Sequence, residues 1–80
     1  MAKFYISFQK VSLMAQDEEG QELPGLEEAR TVAMASAREL LADDVKSASA
    51  DPLIAVIVTD WEGRELLRIP AKDVLLGPLR

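Results

Sequence analysis

The segment from residue 26 to about residue 47 constrains this chain more than any other. Leu26, Ala29, Ala33, Ala37 and Leu40 recur every three or four residues, which sets them on one face of a helix. Leu41 and Ala48 widen that stripe. Glu27, Thr31, Arg38, Glu39, Asp43 and Lys46 fall outside it and are expected to meet water. The mid-helix stripe residues Ala33 and Ala37 are small, so the helix axis can approach a neighbouring layer closely. A tight helix-on-sheet contact is predicted there. The start signal is Leu23-Pro24-Gly25-Leu26-Glu27-Glu28: Pro24 disfavours helix before it, Gly25 serves as N-cap, and two carboxylates meet the positive end of the dipole. At the other end Asp43 and Asp44 oppose the dipole and only Lys46 offsets them. Ser47-Ala48-Ser49-Ala50-Asp51-Pro52 reads as fraying helix and then a turn, so the helix ends between Val45 and Ala50.

The remainder reads as sheet. Over residues 3–9, Phe4, Ile6 and Phe8 alternate with Tyr5, Ser7 and Gln9, the pattern of a half-buried strand. Lys10-Val11-Ser12 lacks a strong turn residue, yet Leu13-Met14-Ala15 looks like a second short strand, giving a hairpin over residues 3–16. Asp17-Glu18-Glu19-Gly20 is a turn in which the Asp side chain bonds backbone N–H groups ahead of it and Gly20 takes a positive φ. Gln21-Glu22-Leu23 can add a few extended residues; as a true strand they would reverse the direction of the helix and of the strand after it. Residues 53–59, Leu-Ile-Ala-Val-Ile-Val-Thr, form the best strand, apolar enough to suggest cover on both faces. One helix covers only one face, so the C-terminal segment or a second subunit should shield the other. Asp60-Trp61-Glu62-Gly63 repeats the earlier turn chemistry, Glu65-Leu66-Leu67-Arg68-Ile69 returns as a strand, and Pro70 stops it. Residues 71–76 can form a short helix ended by Gly77-Pro78, with Leu79 and Arg80 loose. The shared pattern Asp-x-Glu-Gly-x-Glu-Leu at residues 17–23 and 60–66 is read as one turn chemistry used twice, not as a duplication.

These elements predict one α+β domain over residues 1–80, in two layers, β-β-α-β-β, with one main helix on a small antiparallel or mixed sheet. At eighty residues the core must be thin.

Composition narrows function mainly by exclusion. There is no cysteine and no histidine, which removes disulfides, thiolate catalysis, cysteine-ligated metals and every dyad built on histidine. The four glycines are scattered, so there is no phosphate-binding loop. A net charge of −5 and only four aromatic residues, Phe4, Tyr5, Phe8 and Trp61, disfavour nucleic-acid binding. No apolar run reaches the roughly 20 residues of a membrane-spanning helix. Met1-Ala2-Lys3 runs straight into the first strand with no secretory leader pattern, and a soluble cytoplasmic protein is expected. The acidic cluster Asp17, Glu18, Glu19, Glu22, Glu27 and Glu28 suits a solvated turn better than a metal site, because the calcium-loop glycine position holds Glu22. No catalytic residue, cofactor or metal is assigned.

Trp61 can anchor a partner or fold back over the sheet edge to complete the core, and the second is favoured. Arg64 and Arg68 can contact an acidic partner or blunt an edge strand. The chain is therefore expected to be a small non-enzymatic interaction module, self-associating as a homodimer or binding another protein. The alternatives are an antitoxin-like regulator of a basic partner and a weak metal or small-molecule binder.

The run Asp17-Glu18-Glu19-Gly20-Gln21-Glu22-Leu23-Pro24, with Phe4-Tyr5-Ile6-Ser7-Phe8 before it and Ala35-Ser36-Ala37-Arg38-Glu39-Leu40-Leu41 after it, resembles a family of short bacterial proteins of unknown function. The likeness continues through Val58-Thr59-Asp60, Gly63-Arg64 and Ile69-Pro70. That family usually places Asp where Gly25 stands and has an Asp/Gly-rich first turn where this chain has Gln9-Lys10-Val11-Ser12. The resemblance implies the strand-helix-strand architecture and carries no activity. The segment Leu23-Pro24-Gly25-Leu26-Glu27-Glu28-Ala29 is similar to the helix start of HicB-type antitoxins.

Overall fold

A computed structural model describes residues 1–76. Strand β1 (Ala2–Lys10) is followed by β2 (Met14–Ala15), β3 (Gln21–Leu23), helix α1 (Leu26–Ser47), β4 (Leu53–Thr59), β5 (Glu65–Pro70) and the short helix α2 (Ala71–Leu76). The sheet order is β2-β1-β4-β5, and β3 also pairs with β1; every pairing is antiparallel. The expected α+β layering is present, with β3 as an added strand. The expected stop at Gly77-Pro78 and the loose Leu79 and Arg80 lie outside the described residues.

β2 and β3 occupy the same edge of β1. β2 meets Phe8 and Gln9, and β3 meets Ala2, Lys3 and Phe4. Between them the five residues 16–20 stand opposite only Tyr5, Ile6 and Ser7, so the acidic turn is a bulge in one edge strand and not a chain reversal. Hence β3 is a strand, but the reversal of direction expected of it does not occur: β2 and β3 run the same way.

The core lies between the sheet and α1. Ala29, Ala33 and Ala37 have no exposed surface, and Met34 and Leu41 flank them. Opposite sit Phe4 and Ile6 of β1, Val56 and Val58 of β4 and Ile69 of β5. Val74 carries α2 into the same cluster, on the helix side of the sheet. The Cα trace is a slab 15 Å thick, room for one helical layer on one sheet. Leu26 shares the packed face but, as the first residue of α1, projects past the layer and is 42% exposed. Ala48 lies beyond the helix.

Both ends of α1 are secured by backbone. Gly25 is extended and offers no side-chain cap, while its carbonyl accepts from Ala29 N–H at 3.1 Å. At the far end Ala48 adopts the left-handed conformation (φ 51°), with Ala48 N–H on Val45 O and Ser49 N–H on Asp44 O, the paired bonds of a Schellman close. That closure explains why the helix stops within the expected window despite a weak sequence signal. Asp44 does more than oppose the dipole: its Oδ2 accepts Leu53 N–H at 2.9 Å and ties the helix end to β4.

Ala37→Leu should destabilise the fold by about 1–3 kcal/mol through overpacking against the sheet. Thermal or urea unfolding checks this, and an unchanged midpoint would place Ala37 away from the core.

Candidate interaction surface

Two aspartates build the two glycine turns in the same way. Asp17 Oδ1 accepts the N–H groups of Glu19 and Gly20, at 3.2 and 3.1 Å. Asp60 Oδ1 accepts those of Glu62 and Arg64, both at 2.9 Å. Gly20 and Gly63 hold φ of 75° and 84°, as expected for both. The second oxygens diverge. Asp17 Oδ2 reaches across the bulge to Ile6 N–H at 3.1 Å, filling the ladder position that an edge-strand carbonyl has vacated. Asp17 N–H returns to Ser7 Oγ at 3.2 Å. Asp60 Oδ2 instead takes Arg64 Nε at 2.8 Å. One turn chemistry thus serves a bulge in the first case and a hairpin end in the second.

Burial alone would raise both carboxyls. For Asp17 the N–H donors of Gly20, Ile6 and Glu19, with the charge of Lys3, outweigh it and lower the pKa. For Asp60 the backbone N–H and guanidinium of Arg64 and the N–H of Glu62 do the same. Asp51 is also lowered, first by the Ser12 hydroxyl and then by the Ser12 N–H, bonded at 2.7 and 2.8 Å. That brace holds the β1–β2 connection at Val11-Ser12, which lacks a turn-forming residue of its own.

Trp61 is 65% exposed, so it does not fold back to complete the core. The reason is local: Asp60, Gly63 and Arg64 close the turn through backbone bonds and leave its second residue pointing outward. The indole borders a shallow cleft of about 290 Å³ with Tyr5, Ser7, Asp17 and Thr59 on the sheet face away from α1. Arg64 is spent on Asp60 and on Glu62, the latter at 3.0 Å. Arg68 pairs with Glu65 through Nε and Nη2, and its Nη1 reaches Gln9 Oε1 at 2.9 Å.

The Arg68–Gln9 bond gives the back face cover from the chain's own side chains, a source not among those expected. Gln9 lies on β1 and Arg68 on β5, so the bond crosses β4 beside Ala55 and Ile57, each only 4% exposed. The chain's own polar side chains shield the apolar centre of that face, while α2 packs on the opposite side. Gln9 was unreadable as a bridging residue because its partner is 59 positions away. Asp51 meets Ser12 39 positions away, and Asp44 meets Leu53 nine positions on, across the end of the helix.

Residues 3–72 match the family described as Domain of unknown function (DUF6894). The chain belongs to that family. No curated protein and no solved structure matches it.

Within this DUF6894 domain backbone donors engage both Asp17 oxygens, so that carboxylate is committed to holding the bulge. Among the described residues no group of three or more acidic side chains is placed to hold a metal ion, and no helix is long and apolar enough to cross a membrane. The two sheet edges differ. The β2/β3 edge is short, bulged and acidic. At β5 no strand pairs with the outer edge among the described residues, and Leu66 stands 39% exposed there between Glu65 and Arg68.

The two glycines should respond unequally to alanine. At Gly63 an added methyl meets open space, so Gly63→Ala should cost only the strain of positive φ, about 1–2 kcal/mol. At Gly20 it would stand 2.9 Å from Tyr5 Cε2, so Gly20→Ala should cost about 1–3 kcal/mol more through overpacking. Equal melting temperatures for the two variants would contradict the close approach of Tyr5.

Acid should also unfold the domain through these turns. The folded carboxyls of Asp17, Asp51, Asp60 and Glu65 bind protons less readily than in the unfolded chain. Their stabilisation is complete above about pH 5 and drains as pH falls through their lowered native values. The melting temperature should drop below about pH 4, and Asp17→Asn with Asp60→Asn should flatten that drop. A level profile down to about pH 3 would mean that these hydrogen-bond donors do not hold the carboxylates in solution.

Proposed function

We propose that the chain is a small non-enzymatic interaction module whose principal partner is a second copy of itself. One observation carries the reading: the only tryptophan is presented to solvent on a turn braced by Asp60. Large apolar side chains held outward on rigid turns are the usual anchors of protein contacts. The two carboxylates in the adjoining cleft, Asp17 and Asp60, are committed to backbone donors. With neither cysteine nor histidine in the chain, a catalytic reading has little to draw on.

A second reading has its own support. Glu18 and Glu19 on the acidic bulge and Glu22 on the adjoining β3 are exposed, a surface suited to a basic protein, as an antitoxin-like regulator would need. Titration with an RNA-cleaving basic protein encoded beside this chain would separate the two.

Self-association is tested by sedimentation equilibrium from about 10 μM to 1 mM, the range in which small interfaces dissociate. A dimer should form, the Trp61 emission should shift to the blue with concentration, and Trp61→Ala should weaken assembly. A monomer with unshifted emission throughout would end this reading.

A further inference from the structure

The outer edge of β5 has a property that the other sheet edge lacks: it complements itself. Its sequence Glu65-Leu66-Leu67-Arg68 is complementary in charge to its own reverse, with an acidic end, an apolar centre and a basic end. The shift in β5 pairing, Val58 with Leu67 but Thr59 with Glu65, makes Leu66 an extra residue. That bulge brings Glu65 and Arg68 to the same sheet face, where they meet at 3.0 Å. Both side chains are 46% exposed, so either can exchange this partner for an identical one on another molecule without entering a buried environment. Leu66 shows apolar surface in the same stretch.

We infer that β5 is a self-pairing edge, docking antiparallel on β5 of a second copy with Glu65 opposite that copy's Arg68 and Leu66 opposite its Leu67. The inference rests on the self-association reading above and names its surface. A two-fold axis between Leu66 and Leu67 would join two sheets into one continuous sheet, with the α1 helices on the same side. Backbone bonds and burial of Leu66 supply the attraction. The ion pairs only trade partners, so they set register and exclude other edges more than they add affinity. An acidic edge such as β2/β3 would place like charges against Glu65. A strand from an unrelated protein would lack the matching order of charge.

Charge exchange tests this on the full chain. Glu65→Arg and Arg68→Glu, each alone, should weaken homodimerisation by about tenfold or more, since each places like charges opposite one another. Mixed in equal amounts, the two variants should recover dimers that contain one of each. Leu66→Lys should also dissociate the dimer; the side chain lies outside the core, so this variant serves should Arg68→Glu, which loses the Gln9 bond, fail to fold. Sedimentation and native mass spectrometry read the outcome, with melting curves to confirm folding. A wild-type dimer left intact by folded Glu65→Arg and Leu66→Lys would overturn the β5 surface and leave self-association standing. A wild-type monomer at every concentration would overturn both. Binding of wild type to a different protein through this edge, with no homodimer, would overturn the choice of a second copy.

Discussion

Everything in this fold depends on how closely α1 approaches β4. Ala29, Ala33 and Ala37 have no exposed surface, and beneath them Val56 and Val58 have none either. Short side chains on the helix let β-branched ones on the sheet fill the gap, and a chain of eighty residues has little other apolar volume to spend. The remaining core residues extend this contact sideways: Phe4 and Ile6 from β1, Ile69 from β5, and Val74 from α2 at the flank.

Aspartate does the second job. Asp17, Asp44, Asp51 and Asp60 each accept backbone N–H groups that secondary structure leaves unpaired. They stabilise a bulge, a helix-to-strand connection, a hairpin turn without a turn residue, and a glycine hairpin. An acidic composition that invites a ligand-binding explanation is thus partly consumed in holding loops. The lowered pKa values of three of these carboxyls have the same origin, since each donor favours the ionised form.

The back of the sheet shows how a thin domain covers apolar surface with its own polar side chains. Continuous apolarity in β4 implies cover on both faces, and part of that cover is Gln9 and Arg68 meeting across the strand. Long polar side chains shield apolar surface with their stems while their heads stay wet. This moves the argument for assembly away from the sheet face and toward the turn at Trp61 and the edge at β5.

Local pattern determined much of this protein. Alternation placed β1, β-branched density placed β4, the alanine spacing placed α1, and the two Asp-to-Gly turns announced their positive φ, because each depends on neighbours within a few residues. The tertiary structure alone decided the rest. It set the strand order, made the acidic turn a bulge with β3 beyond it, left Trp61 outside the core, and joined Gln9 to Arg68 and Ser12 to Asp51. Those outcomes depend on which distant groups meet once the helix is seated, and no local periodicity records a partner 39 or 59 residues away.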